Sequence, residues 1–251
     1  MRSILITGAT GIIGQAFVKH FLDIGDTVIG VSRSQIFPGN LKNSLNHLPG
    51  TFHALSLDLT KENAASSLLE ALKQYNLYPD CLINNARNVS YLAVEGDGSI
   101  ARDNFIGEFT LDVVVPYELT VALLNDPKSR LKSVVNIGSQ YGVVAPNLSL
   151  YKDPIRESPL HYGVAKAALS HLTKELAVRY AKRKLRVNCV AFGGVEGRAG
   201  DAFKERYAEL CPMGRMLKES ELAAPVDILL SDSSSAITGI TLVVDCGWSL
   251  W

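Results

Sequence analysis

A chain of 251 residues with 25 basic and 25 acidic side chains carries no net formal charge. The two signs are interspersed, which excludes the electrostatic footprint of a nucleic-acid or anionic-membrane binder. The length suits a single α/β domain, residues 1–251, with a substantial core. Cys81, Cys189, Cys211 and Cys246 have no spacing suited to zinc or a disulfide framework, so a reducing, cytoplasmic setting without a metal site is expected. No apolar run approaches the ~20 residues of a membrane span. The first run, residues 4–6, is too short for the apolar core of a signal peptide.

In chain order, Ser3–Thr7 (SILIT) reads as a short buried strand ended at once by glycine. Gly8-Ala9-Thr10-Gly11-Ile12-Ile13-Gly14 follows, then QAFVKHFLDIG with apolar residues at helical spacing. Strand, glycine turn and helix is the context in which a backbone can approach a pyrophosphate and a helix N-terminus can receive it. Thr27–Ser32 is the second strand, ending in Ser32-Arg33-Ser34. An NAD-preferring site usually has an acidic residue here; instead Arg33 offers a guanidinium suited to a 2′-phosphate, or is a solvated loop residue. NADP(H) is therefore favoured over NAD(H).

A short helix is expected over residues 40–48 and a third strand over 52–57. Asp58 then either accepts from an adenine amino group or caps a helix starting near Lys61. Cys81–Asn84, the fourth strand, runs into Asn84-Asn85-Ala86-Arg87. These amides suit a cofactor ribose or simply a turn. The pattern predicts one long helix over 102–124 with Asp112 near its middle, and a fifth strand over 131–137 that leads to Ser139. A strand-end serine is a turn former or, here, a second hydroxyl beside the catalytic helix. Residues 141–160, rich in Pro, Ser and Tyr, read as an irregular substrate loop.

Within HYGVAKAALSHLTK, Tyr162 and Lys166 lie four apart, on one helix face. An ammonium beside a phenol favours the phenolate over a neutral form whose usual pKa is ~10, which makes Tyr162 a candidate acid/base. A sixth strand over 185–191 ends in Phe192-Gly193-Gly194-Val195. Residues 196–217 read as a substrate lid within the domain, 222–230 as a helix and 240–244 as the last strand. The aromatic tail, with Trp248 and Trp251, either caps the core or makes a subunit contact. The alternating order argues for a Rossmann-type α/β fold: a doubly wound parallel sheet of about seven strands in three αβα layers.

Gly8…Gly11…Gly14, Asn84-Asn85-Ala86, Ser139 and Tyr162-Gly163-Val164-Ala165-Lys166 together resemble the short-chain dehydrogenases/reductases of the single-domain type, a likeness that runs from residue 3 to residue 247. The resemblance implies that Tyr162 is the acid/base, that Ser139 orients the substrate carbonyl or hydroxyl, and that Lys166 assists Tyr162 and binds the nicotinamide ribose. It implies a cofactor set of Gly8, Thr10, Gly11, Ile12, Ile13, Gly14, Ser32, Arg33, Asp58, Leu59, Asn85, Ala86, Arg87, Tyr162, Lys166, Gly193 and Val195, with Val195 holding the carboxamide through its backbone. The substrate it implies is a small carbonyl or alcohol. A homotetramer or homodimer is implied as well, in which residues 103–124 and Leu160–Tyr180 pack across a two-fold axis.

Four positions depart from the family pattern. The turn is spaced TGxxGxxG, like the extended branch; Arg87 stands where glycine is usual; Asp112 stands where the family has a proton-relay asparagine; and Phe192 replaces a proline. GSQYGVVAPNLSLYKDP and the DCGWSLW ending are similar to reductases associated with bacterial flagellin or surface-polysaccharide sugar modification, which implies a sugar or nucleotide-sugar substrate. Two other readings are a nucleotide-sugar epimerase or dehydratase that retains its cofactor, and a non-catalytic NAD(P)-sensing protein.

Overall fold

The computed structural model describes residues 1–33, 45, 47–197 and 199–251. The helix expected over 40–48 falls, apart from Leu45, His47 and Leu48, outside the described residues, as does Ser34.

Seven strands form one parallel sheet: β1 (Ser3–Thr7), β2 (Thr27–Ser32), β3 (Thr51–Ser56), β4 (Cys81–Asn84), β5 (Ser133–Ser139), β6 (Arg186–Phe192) and β7 (Thr241–Val244), in the order β3-β2-β1-β4-β5-β6-β7. The strands are short apolar runs because both faces are covered by helices. Alternate residues divide the core. Ile4 and Ile6 join Phe17 and Phe21 of α1 (Ile12–Asp23) and Val226 and Leu229 of α7 (Ala223–Leu230). Leu5 joins Leu68 of α2 (Ala64–Gln74), Leu119 of α4 (Val115–Asn125) and Leu176 of α5 (Leu160–Tyr180) on the other face. The chain order reverses between β1 and β4, which opens the crevice where doubly wound sheets bind ligands.

Three expectations need correction. The single helix over 102–124 is instead α3 (Arg102–Phe109), a π-helical turn (Thr110–Val114) and α4. Pro116 explains the break: it has no N–H for the carbonyl four residues back, that of Asp112, and its ring crowds that carbonyl. The helix expected near Lys61 begins at Ala64. The fifth strand runs two residues further than expected, so Ser139 is its last residue, paired with Phe192. The segment 196–217 contains α6 (Asp201–Leu210). Its two ends are joined by a parallel bridge between Val195 and Leu217.

Trp248 is buried and stacks on Tyr207, ring centroids 4.2 Å apart, so this part of the tail caps the core. Trp251 is exposed and donates its Nε1–H to the Leu210 carbonyl at 3.2 Å. Phe192 sits in the core with its ring centroid 6.4 Å from that of Phe17. Among the described residues no helix is long and apolar enough to cross a membrane.

Candidate active site

A cleft of about 500 Å³ opens at the C-terminal edge of the sheet, running from the β1–α1 turn past β2 and β3 to the start of α5. Its first wall is backbone. Gly8 has φ +66°, and a Cβ there would lie 2.7 Å from the Ala86 Cα; at Gly14 a Cβ would lie 2.2 Å from the Gly8 carbonyl oxygen. Thr7 fastens this turn to the end of β4: its Oγ1 accepts from the Asn85 and Ala86 amides at 2.9 and 3.0 Å. In return the Asn85 side-chain amide donates to the carbonyls of Thr7 and Gly8 at 3.0 and 3.2 Å. Ile12, Ile13 and Gly14 line the cleft, and no side chain caps α1, which leaves the N–H donors of its first turn for a ligand. Glycine contacts that exclude any side chain, beside open helix donors, fit a dinucleotide pyrophosphate.

Ser32, Arg33, Asp58, Leu59 and Thr60 line the far end. Asp58 does not cap the helix expected near Lys61: its Oδ1 accepts from the Thr60 N–H and hydroxyl at 3.0 and 2.8 Å, closing a turn before α2. Those bonds, the backbone one foremost, hold its carboxyl below its ordinary pKa. Arg33 is exposed on the cleft wall.

At the near end, Lys166 is buried and donates from Nζ to Asp112 Oδ1 and to the Ile137 carbonyl, both at 2.9 Å. Burial opposes its charge, but Asp112 and the nearby Tyr162 outweigh it and the ammonium's pKa is raised. Lys166 Nζ is 5.7 Å from the Tyr162 ring centroid, whereas the Arg87 guanidinium lies 4.4 Å over the same ring. Arg87 therefore sits on the face of the candidate acid/base itself, with its Nε 3.9 Å from Glu108 Oε1. Glu108 is 1% exposed and neither carboxyl oxygen has a hydrogen-bond partner. Burial first, and Asp112 second, push its pKa up to about 7.

Ser139 is buried at the end of β5, where its Oγ accepts from the Tyr141 amide at 3.2 Å and keeps its own proton to donate. The turn it caps presses on α5: a Cβ at Gly142 would lie 2.7 Å from the Lys166 carbonyl carbon. Val195 reaches the cleft, but Gly193 is used otherwise, its N–H donating to the Val244 carbonyl at 2.9 Å. Beyond it, Tyr207 of α6 donates to Gln140 Oε1 at 3.0 Å and accepts from the Gly194 N–H at 2.9 Å, linking the 196–217 segment to the turn after Ser139.

The structure thus brings Tyr162, Lys166, Arg87, Asn85, Val195 and the glycine turn to one cleft, with Asp112 behind Lys166. Sequence reasoning missed Thr7, Glu108 and the Gln140–Tyr207 link. For Glu108 a signal existed, because it lies four residues before Asp112, on the same helical face. For Tyr207 none did, since its partners lie 13 and 67 residues away.

A family model described as enoyl-(acyl carrier protein) reductase matches residues 8–249. The chain is 30% identical over 257 residues to post-translational flagellin modification protein A of Campylobacter coli, covering 99% of this chain and 98% of that protein. Two solved structures are similar throughout. One is 4-hydroxyisoleucine dehydrogenase complexed with NADH (TM-score 0.84, 26% identity, 100% of both chains covered). The other is the Pseudomonas aeruginosa RhlG/NADP active-site complex (TM-score 0.84, 25% identity, 99% of this chain and 96% of that one). The chain belongs to the short-chain dehydrogenase/reductase family. It is an oxidoreductase of that class, and both nicotinamide cofactors occur among its structural neighbours.

Proposed function

We propose that this protein catalyses reversible hydride transfer between NADP(H) and the carbonyl/alcohol carbon of a sugar or nucleotide sugar. The observation that carries this reading is the meeting, in one cleft, of the glycine cradle with Tyr162 and its two flanking cations. Gly8, Gly11 and Gly14 with the α1 donors would hold the pyrophosphate, Asp58 and Leu59 the adenine end, and Asn85, Ala86, Lys166 and Val195 the nicotinamide end. When bound, the nicotinamide supplies or accepts the hydride. Tyr162 holds the proton that its hydroxyl gives to the new alkoxide oxygen. Ser139, with its hydroxyl proton free, donates to the same oxygen and orients it.

Arg33 supports NADP(H): it stands exposed on the cleft wall, and Asp58 on the same wall is already engaged with Thr60. The sugar substrate rests on the resemblance carried by GSQYGVVAPNLSLYKDP and the DCGWSLW ending, with which the likeness to a flagellin modification protein agrees. Exposed Tyr117 on α4 and exposed Leu160, Val164 and Val178 on α5 support a homotetramer or homodimer built across these helices. We place the protein in the cytoplasm, in keeping with four buried, unpaired cysteines.

Fluorescence titration with NADPH and NADH, for wild type and Arg33→Ala, tests the cofactor assignment. Loss of a charge-assisted phosphate contact should weaken NADPH binding about 10–100-fold and leave NADH binding unchanged. Equal weakening of both, or a wild-type preference for NADH, refutes it. No binding of either cofactor refutes the reaction.

A further inference from the structure

We propose that Arg87 is a positioning residue for catalysis, the cation that stabilises the Tyr162 phenolate in place of the charge Asp112 withdraws from Lys166. The inference rests on Tyr162 being the acid/base of the reaction proposed above.

The argument is one of charge placement. Lys166 spends two of its three donors on Asp112 Oδ1 and the Ile137 carbonyl, both at 2.9 Å. Lys166 and Asp112 are both buried, so the pair is tight and presents little net charge to its surroundings. A lysine so neutralised is a poor partner for a phenolate. Arg87 is better placed: its guanidinium is closer to the Tyr162 ring than Lys166 is, always protonated, and makes no hydrogen bond within the described residues. When Tyr162 gives up its proton, the cation over the ring face attracts the resulting negative charge.

Among the described residues Arg87 has one counter-charge, Glu108, which is neutral below about pH 7. Its oxygens are buried with no donor to either, so an ionised carboxylate there would be desolvated without compensation. It is held neutral up to about pH 7 by burial and by Asp112. Tyr151, from the loop over 148–151, also faces Tyr162, and burial keeps its phenol neutral. Below about pH 7, therefore, of the two cations beside the ring Lys166 is shared with Asp112, while the exposed Arg87 keeps its charge uncancelled. The two departures from the family pattern at 87 and 112 compensate each other: a carboxylate is added beside the lysine and a guanidinium beside the tyrosine.

The test is the ionisation midpoint of Tyr162, read by NMR on cofactor-free protein carrying ¹³Cζ-labelled tyrosine. The Tyr162 resonance is identified by its loss in Tyr162→Phe. Arg87→Met should move the midpoint to higher pH by about one unit or more, and Arg87→Lys should retain most of the wild-type behaviour. Asp112→Asn should move it to lower pH, and the double variant should return close to wild type. If Arg87→Met does not fold, Glu108→Gln should still lower the midpoint above pH 7 by removing the carboxylate that ionises there. A midpoint indifferent to Arg87→Met or to Glu108→Gln, or one that Arg87→Met and Asp112→Asn shift in the same direction, overturns the role of Arg87. Because no cofactor or substrate enters this measurement, it is separable from failure of the proposed reaction, which would show as absent NADPH binding.

Discussion

At the β1–α1 turn the cleft wall is backbone against backbone, whereas around Tyr162 it is a set of charged side chains, buried at Glu108, Asp112 and Lys166 and exposed at Arg87. The glycine end carries no titratable side chain; its shape comes from Gly8 and Gly14, where a single added carbon meets the main chain at under 3 Å. The Tyr162 end draws Arg87, Glu108, Asp112 and Lys166 from the loop after β4, from α3, from the π turn and from α5. Steric exclusion is indifferent to pH and salt. A charge set in low dielectric depends on every partner and on the pH at which each titrates. One cleft thus joins a rigid binding end to a tunable chemical end, and substitutions at the two should fail in different ways.

The largest expected effect is at the chemical end. Tyr162→Phe should lower kcat by about 10²–10⁴-fold while NADPH affinity stays within a few-fold, as steady-state kinetics beside a binding titration would show. Turnover that survives this change would make the charged end structural and erase the contrast. Next comes Lys166→Met, which strands the buried Asp112 carboxylate and should cost about 3–5 kcal/mol of stability in urea unfolding.

Glu108→Gln sharpens the contrast through pH. The folded-state pKa of Glu108 stands at about 7 against an ordinary 4.5, so the folded chain keeps a proton that the unfolded chain has already released. Stability linked to that proton is full below about pH 4 and declines as pH rises towards 7. Denaturant unfolding at pH 5 and pH 8 should therefore find the variant gaining on wild type with rising pH, by up to about 3 kcal/mol. A gap independent of pH would contradict the raised pKa. The smallest effect belongs to the binding end: Gly14→Ala should cost about 1–3 kcal/mol in overpacking, seen as a tenfold or greater rise in the NADPH Kd with no change in its pH dependence.

Local spacing explains what could be read in advance. The βα alternation, the glycine turn after β1 and the Tyr162–Lys166 face are each written within a handful of neighbouring residues, and the structure keeps all three. Element ends were less legible. The π turn at Thr110–Val114 is signalled only by Pro116, and Ser139 completes β5 because it pairs with Phe192 of another strand.

By itself the sequence determined the doubly wound fold and the two ends of the cleft, because helix and strand periodicity and tight turns are short-range properties of the chain. Only the tertiary structure decided the charge pattern at the chemical end. Asp112 meets Lys166 across 54 residues of sequence, and Arg87 meets Tyr162 from a different element. Spacing cannot foretell such meetings. Packing at the sheet edge brings these groups together, and their burial then sets which of them carries charge.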